Sequence, residues 1–137
     1  MPLPDRVSPY VAAAVGGGLG ALARWAVGVA LPHPAGAWPW ATVLVNLTGC
    51  LVLGVLLAAV FARHPDRPLL RPFLGTGVLG GYTTFSTFSV DAVQLADAGR
   101  GGVALGYVVV SVVGGVLAAA AGVRLGRALP ARRAALR

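Results

Sequence analysis

The sequence predicts an all-helical membrane protein with four transmembrane helices, and three observations lead to this fold class. Hydrophobic residues make up 57% of the 137 residues and charged residues only 11%, whereas soluble domains carry about 25% charged residues. Four mainly apolar stretches reach the length of about 20 residues that a membrane-spanning helix requires. The single cysteine excludes an intrachain disulfide framework or a cysteine-rich metal site.

The four predicted helices leave no room for a separate soluble domain. Prolines and glycines separate the first two stretches, a charged run at 63–68 separates the second from the third, and residues 97–102 separate the last two. We therefore predict one transmembrane domain over 1–137, with a short basic cytoplasmic tail at 125–137. Its spans cover approximately residues 9–31, 38–62, 72–97 and 101–124.

Arginine is distributed unevenly around these spans. With four spans, both termini and the central loop lie on one side of the membrane, and that side carries nine arginines against Arg100 alone on the other. The positive-inside rule predicts that both termini are cytoplasmic in a multi-pass protein of the cell membrane. The basic residues are then topology signals beside the lipid bilayer, so we expect no nucleic-acid partner. The nine are Arg6, Arg63, Arg67, Arg71, Arg124, Arg127, Arg132, Arg133 and Arg137.

Polar side chains inside the spans are costly in lipid, so the few present indicate function. Arg24 in the first span and Asn46 in the second lie at about the same predicted depth. A guanidinium and an amide at one level form a donor-rich site suited to an anion. Two alternatives stay open: Arg24 could extend to the interface, and Asn46 could make an interhelical hydrogen bond used only for packing.

The third span differs most from an ordinary membrane helix, because it reads GGYTTFSTFS over 80–89. Paired glycines followed by β-branched threonines favour a break in the helix near mid-membrane. Carbonyl groups freed at such a break need a partner, and a bound cation is one. Asp91, the only acid deep in a span, is expected to form an ion pair with Arg24.

These polar residues distinguish between the possible classes of function. No nucleophile, base or metal-ligand set is evident, so we predict that the chain is not an enzyme. A small four-helix transporter of cations needs a membrane carboxylate, but the chain has no Glu and Asp91 has an expected partner. A non-conducting assembly subunit would need only glycine-rich faces such as Gly16/Gly20, Gly77/Gly81, Gly102/Gly106 and Gly122/Gly126. A narrow anion path also explains the arginine, the asparagine and the hydroxyl groups.

Three segments carry a resemblance to a known family: GGLGALARW at 17–25, TVLVNLTGCLVLG at 42–54 and GVLGGYTTFSTFS at 77–89. Together with Tyr107 and Ser111 in the last span, they closely resemble the Fluc/CrcB family of fluoride channels. The resemblance implies an antiparallel dimer of four-helix subunits that exports cytoplasmic fluoride passively and so reduces its toxicity.

The resemblance also implies roles for individual residues. Gly80 and Thr83 match the positions whose backbone carbonyls hold a structural sodium ion that is not transported. Arg24 and Asp91 lie at the pore mouth, although a longer Glu is common at the position of Asp91. Gly115 stands where some relatives have a second hydroxyl. The fluoride path would be lined by Asn46, by the paired rings Phe85 and Phe88, and by the hydroxyl groups of Thr42, Thr84, Thr87 and Ser111.

The charge bias bears on the form of the dimer. A chain inserted in both orientations needs nearly balanced charge on its two sides, which nine arginines against one do not give. We therefore expect a heterodimer with a similar chain of opposite charge bias. The alternative is a homodimer inserted in both orientations despite the bias.

Overall fold

The computed structural model describes residues 4–129, with side chains from residue 8 onward, and all regular structure in that part of the chain is helical. The first three residues and residues 130–137, which include most of the predicted tail, lie outside the described part. The helices are α1 (Pro4–Ala30), α2 (Trp40–Val55, continued by wider π-type turns over Leu56–Phe61), α3 (π-type turns over Arg71–Leu79, then Gly80–Tyr82), α4 (Phe85–Asp97) and α5 (Gly101–Ala128).

Three of these helical stretches are long and apolar enough to cross a membrane, namely Ser8–Ala30, Trp40–Phe61 and Gly101–Ala128. The prediction of an all-helical, multi-pass membrane protein is therefore confirmed. The predicted third span corresponds to two consecutive helices, α3 and α4. The last helix continues to Ala128, beyond the predicted end of the span at 124.

Glycines set how closely the helices pack in two pairs, α1 with α3 and α2 with α5. A Cβ atom on Gly20 would collide with the Val78 carbonyl of α3, and one on Gly122 would collide with the Leu51 carbonyl of α2. Only glycine leaves room for such a backbone approach, which is the usual use of small residues in membrane helices. Gly102 and Gly106 have no atom within 4 Å of a built Cβ, so this one predicted pair is not a packing contact within the described chain.

The chain is extended for two residues between α3 and α4. Thr83 has φ −77° and ψ 160°, and Thr84 has φ −149° and ψ 120°. Thr84 then begins α4 as its N-cap, because its side-chain oxygen accepts a hydrogen bond from the Thr87 N–H at 3.1 Å. The two halves of this stretch are thus separate helices with separate ends.

A small core fixes α4 and α5 against α2. Val43, Leu95 and Tyr107 are almost completely buried there, with Trp38 and Phe88 packed against them. On one side of this core the Arg100 guanidinium donates to the Gly36 carbonyl at 2.6 Å. Arg100 thereby holds the loop between α1 and α2 over the start of α5.

Candidate functional site

Asn46 binds the interrupted backbone between α3 and α4. Its Nδ2 donates to the Thr84 carbonyl at 3.0 Å, and its Oδ1 accepts from the Thr84 N–H at 2.8 Å. One amide side chain therefore binds both backbone groups of Thr84, whose N–H has no helical partner and whose carbonyl, at the N-cap position, also serves the first turn of α4. This arrangement uses one of the two amide hydrogens of Asn46 and leaves the other available as a donor.

The hydroxyl groups at the start of α4 form a short chain of hydrogen bonds. Thr84 Oγ1 donates to Thr87 Oγ1 at 3.0 Å and lies 3.2 Å from Ser86 Oγ. A threonine hydroxyl has one proton to give. When Thr84 donates to Thr87, the proton of Thr87 remains available to another acceptor.

A cavity of about 390 Å³ lies against this break, and we call it the phenylalanine cavity. It brings together seven of the predicted site residues, which come from α2, α3, α4 and α5. They are Asn46, Gly80, Thr83, Thr84, Phe85, Phe88 and Ser111. The Ser111 Oγ is buried and makes no hydrogen bond within the described part of the chain, so its proton is available to the cavity.

The two phenylalanines of this cavity lie side by side. Their ring centroids are 5.7 Å apart with the planes tilted by 39°, and Phe88 continues to Tyr107 at 5.3 Å. Phe88 packs against the core, whereas Phe85 is 81% exposed. An aromatic ring carries a positive edge, so the pair can face an anion without presenting a full charge.

A second cavity of about 430 Å³, the arginine cavity, lies between α1, α2 and the start of α4. Arg24, Thr42, Thr84 and Thr87 all line it, together with His33 from the loop before α2. Thr84 is the one residue common to the linings of the two cavities. The break between α3 and α4 therefore forms part of the wall of both cavities.

The expected ion pair between Asp91 and Arg24 is not formed in the described part of the chain. Asp91 is buried, and it accepts a hydrogen bond from Thr42 Oγ1 at 2.6 Å and a longer one from the Tyr107 hydroxyl at 3.5 Å. Its other oxygen lies 3.6 Å from His33 Nε2. The prediction was wrong because α4 packs against α5 while α1 packs against α3, so similar depth did not bring the two side chains together.

This finding also changes the role open to Thr42. Its single proton is given to Asp91, so while that carboxylate is ionised Thr42 presents only lone pairs to the arginine cavity. Sequence reasoning missed His33 as a residue of this site. The separation of His33 and Asp91 by 58 positions (91 − 33) gives no local pattern from which their contact could be found.

The break leaves backbone carbonyl groups without helical donors at the end of α3. In a continuous α-helix the Thr84 N–H would donate to the Gly80 carbonyl, but here it donates to Asn46. The Gly80 carbonyl therefore lacks its helical donor, and Thr83 follows it in an extended conformation. Free backbone carbonyls are suitable ligands for a hard cation, so these residues fit the predicted sodium site chemically.

The fold and the two cavities define the class: a multi-pass helical membrane protein with hydrogen-bond donors and aromatic rings gathered at an interrupted helix. Comparison with families of known proteins matches residues 11–123 to the family described as CrcB-like protein, Camphor Resistance (CrcB). The chain belongs to this family, which confirms the predicted membership.

Curated relatives point to the same family. A protein of Nocardia farcinica named Fluoride-specific ion channel FluC 2 is 47% identical over 131 residues, 92% of this chain and 91% of that protein. Fluoride-specific ion channel FluC of Rhodospirillum centenum is 48% identical over 118 residues, covering 83% and 94%. A FluC 2 protein of Streptomyces avermitilis is 48% identical over 101 residues, 73% of this chain and 64% of that longer protein. These names describe ion channels and not enzymes, in agreement with the predicted class.

Proposed function

We propose that the chain is a subunit of a fluoride-specific channel through which cytoplasmic fluoride leaves the cell passively. The observation that carries the proposal is that two donor-lined cavities share Thr84 as a lining residue in a member of the CrcB-like family. The identity of the ion comes from the names of the relatives, because the cavities by themselves indicate only a small anion.

The chemistry of fluoride explains why such a path needs many weak donors. A small ion gives up its water shell only if other groups replace it. Arg24 supplies the positive charge at one end, Thr87 and the second amide hydrogen of Asn46 supply donors near the break, and Ser111 supplies one beyond it. Phe85 and Phe88 offer ring edges between these donors. Each group holds the ion weakly enough for it to leave again.

The proposed channel is an antiparallel dimer. Phe85 is 81% exposed although it lines the phenylalanine cavity, and a second subunit would cover it and close the cavity. The carbonyls of Gly80 and Thr83 would hold a structural sodium ion, which would offset the partial negative charge at the C-terminal end of α3 and is not transported. Replacing sodium by a large organic cation should then lower the dimer fraction in detergent; an unchanged dimer fraction would count against this role.

The orientation proposal is that both termini are cytoplasmic and that the partner is a similar chain of opposite charge bias. Labelling a C-terminal tag from each face of the cell membrane tests it. Labelling from the cytoplasmic face alone is expected. Equal labelling from both faces would instead support a homodimer inserted in both orientations.

The function itself is tested by fluoride efflux from liposomes, recorded with a fluoride electrode. The purified chain is reconstituted alone and with a similar chain from the same organism, and chloride efflux is measured in parallel. Fluoride efflux without chloride efflux is the expected result. Efflux of neither ion under both conditions would refute the channel and leave a non-conducting assembly subunit. Movement of fluoride only against a second ion would indicate a transporter.

A further inference from the structure

His33 belongs to the arginine cavity but has no part in the donor set described above. It follows α1 and lines the cavity beside Arg24 and Thr42. Its side chain is 24% exposed, so it is open to solvent, and its Nε2 is 3.6 Å from the buried Asp91 carboxylate.

A proton on His33 would change the net charge around the arginine cavity. Arg24 lines the cavity with one positive charge, and the buried Asp91 carboxylate, in contact with Thr42 and His33, brings one negative charge behind the lining. These two formal charges sum to zero when His33 is neutral. Two further groups lie close to Asp91 or to the loop of His33 but do not line the cavity. The Tyr107 hydroxyl is on Asp91, and Arg100 is a constant cation bound to the Gly36 carbonyl of the same loop. Since Thr42 gives its proton to Asp91, it offers no donor to an anion in the cavity.

We propose that His33 is a proton-dependent anion-capture residue: when protonated it makes the arginine cavity net positive and draws fluoride to the channel. Histidine is the side chain whose charge ordinarily changes between about pH 5 and pH 8. The ligand class is a small monovalent anion, and the inference rests on the proposed channel function. Capture should be stronger on the acidic side of this range.

The size of the effect follows from the distance over which the charge acts. One unit charge about 4 to 8 Å from an anion in water changes its local concentration about two- to fivefold. Salt reduces the effect, because the screening length is about 10 Å at 0.1 M. We therefore expect fluoride efflux at low fluoride concentration to be about two- to fivefold faster at about pH 6 than at about pH 8.

The experiment compares liposome efflux at these two pH values, equal on both sides, after subtraction of the leak from protein-free liposomes. The chain has two histidines, which provides a matched pair of variants. His33→Gln should be slow at both pH values, and His33→Arg should be fast at both. His64→Gln should keep the wild-type response, because His64 lies in the other loop with its ring on the Val60 carbonyl.

The outcomes separate this inference from the function on which it rests. The same pH response in wild type and in His33→Gln or His33→Arg would overturn the role of His33 while leaving the channel intact. A response lost equally in His64→Gln would also overturn it. No fluoride efflux from wild type at either pH would refute the channel itself.

Discussion

Replacing Asn46 by alanine should destabilise the protein measurably, because the Asn46 amide satisfies both backbone groups of Thr84. The two hydrogen bonds are 3.0 and 2.8 Å long, and Thr84 is only 7% exposed. A buried N–H left unpaired costs about 1–3 kcal/mol, and losing one bond to a carbonyl that keeps its helical donor costs about 0.5–1.5 kcal/mol, which together give a range of about 1.5–4.5 kcal/mol. Water in the adjoining cavities can replace part of the loss, and we expect about 2–3 kcal/mol.

The assay is thermal unfolding of the purified protein in detergent, followed by the fraction that remains monodisperse on size-exclusion chromatography. For a chain of this size, about 2–3 kcal/mol corresponds to a fall in melting temperature of about 6–12 °C. Ser89→Ala is the control. Its hydroxyl makes an exposed bond to the Phe85 carbonyl of its own helix at 3.0 Å, and its loss should cost within about 0.5 kcal/mol.

Asn46→Asp separates the two functions of this side chain. A carboxylate can still accept from the Thr84 N–H, but its second oxygen would face the Thr84 carbonyl where Nδ2 now donates. It also places a negative charge in the phenylalanine cavity. We expect both a lower melting temperature and a loss of fluoride efflux. A wild-type melting temperature for Asn46→Ala would show that the two hydrogen bonds to Thr84 do not stabilise the protein. Wild-type efflux from Asn46→Asp would show that Asn46 is not part of the fluoride path.

Two further predictions concern the helix contacts. Gly122→Ala should lower stability by about 1–3 kcal/mol, because the new methyl group meets the Leu51 carbonyl. Gly106→Ala, in the same helix, is the control: its new methyl group meets no atom within 4 Å, so this variant should melt at or above the wild-type temperature. Similar losses in both variants would contradict the packing. Thr84→Val removes the side-chain oxygen that accepts from the Thr87 N–H and should lower stability by about 0.5–2 kcal/mol. Thr84→Ser keeps that oxygen and should melt like wild type. Equal losses of stability in the two variants would show that the hydroxyl is not the cap.

The helical class could be predicted from the sequence because hydrophobic length is a local property. The three long apolar stretches correspond to runs that any window of about 20 residues detects. The third stretch is harder, since its hydroxyl-rich half lowers the hydropathy. The residue types from Gly80 to Thr84 still indicated a weak place in the helix, and in the structure α3 ends at Tyr82.

The pairing of side chains between helices could not be predicted in the same way. Depth in the membrane follows from position along a span, but rotation about the helix axis and the choice of neighbouring helix do not. Arg24 and Asp91 were matched by depth, yet their helices pack against different partners. For Asn46 the sequence left open whether its amide faces an anion or makes an interhelical hydrogen bond, and in the structure most of that amide is bound to Thr84.

These pairings decide which groups can act on an anion. All seven predicted path residues line one or both of the two cavities, but a hydroxyl has only one proton to donate. Thr42 gives its proton to Asp91 and Thr84 gives its proton within its own helix turn. The free protons are then those of Thr87, Ser111 and the remaining amide hydrogen of Asn46. If this assignment is right, Thr87→Val should slow fluoride efflux more than Thr42→Val does, because only the first variant removes a donor that the ion can use.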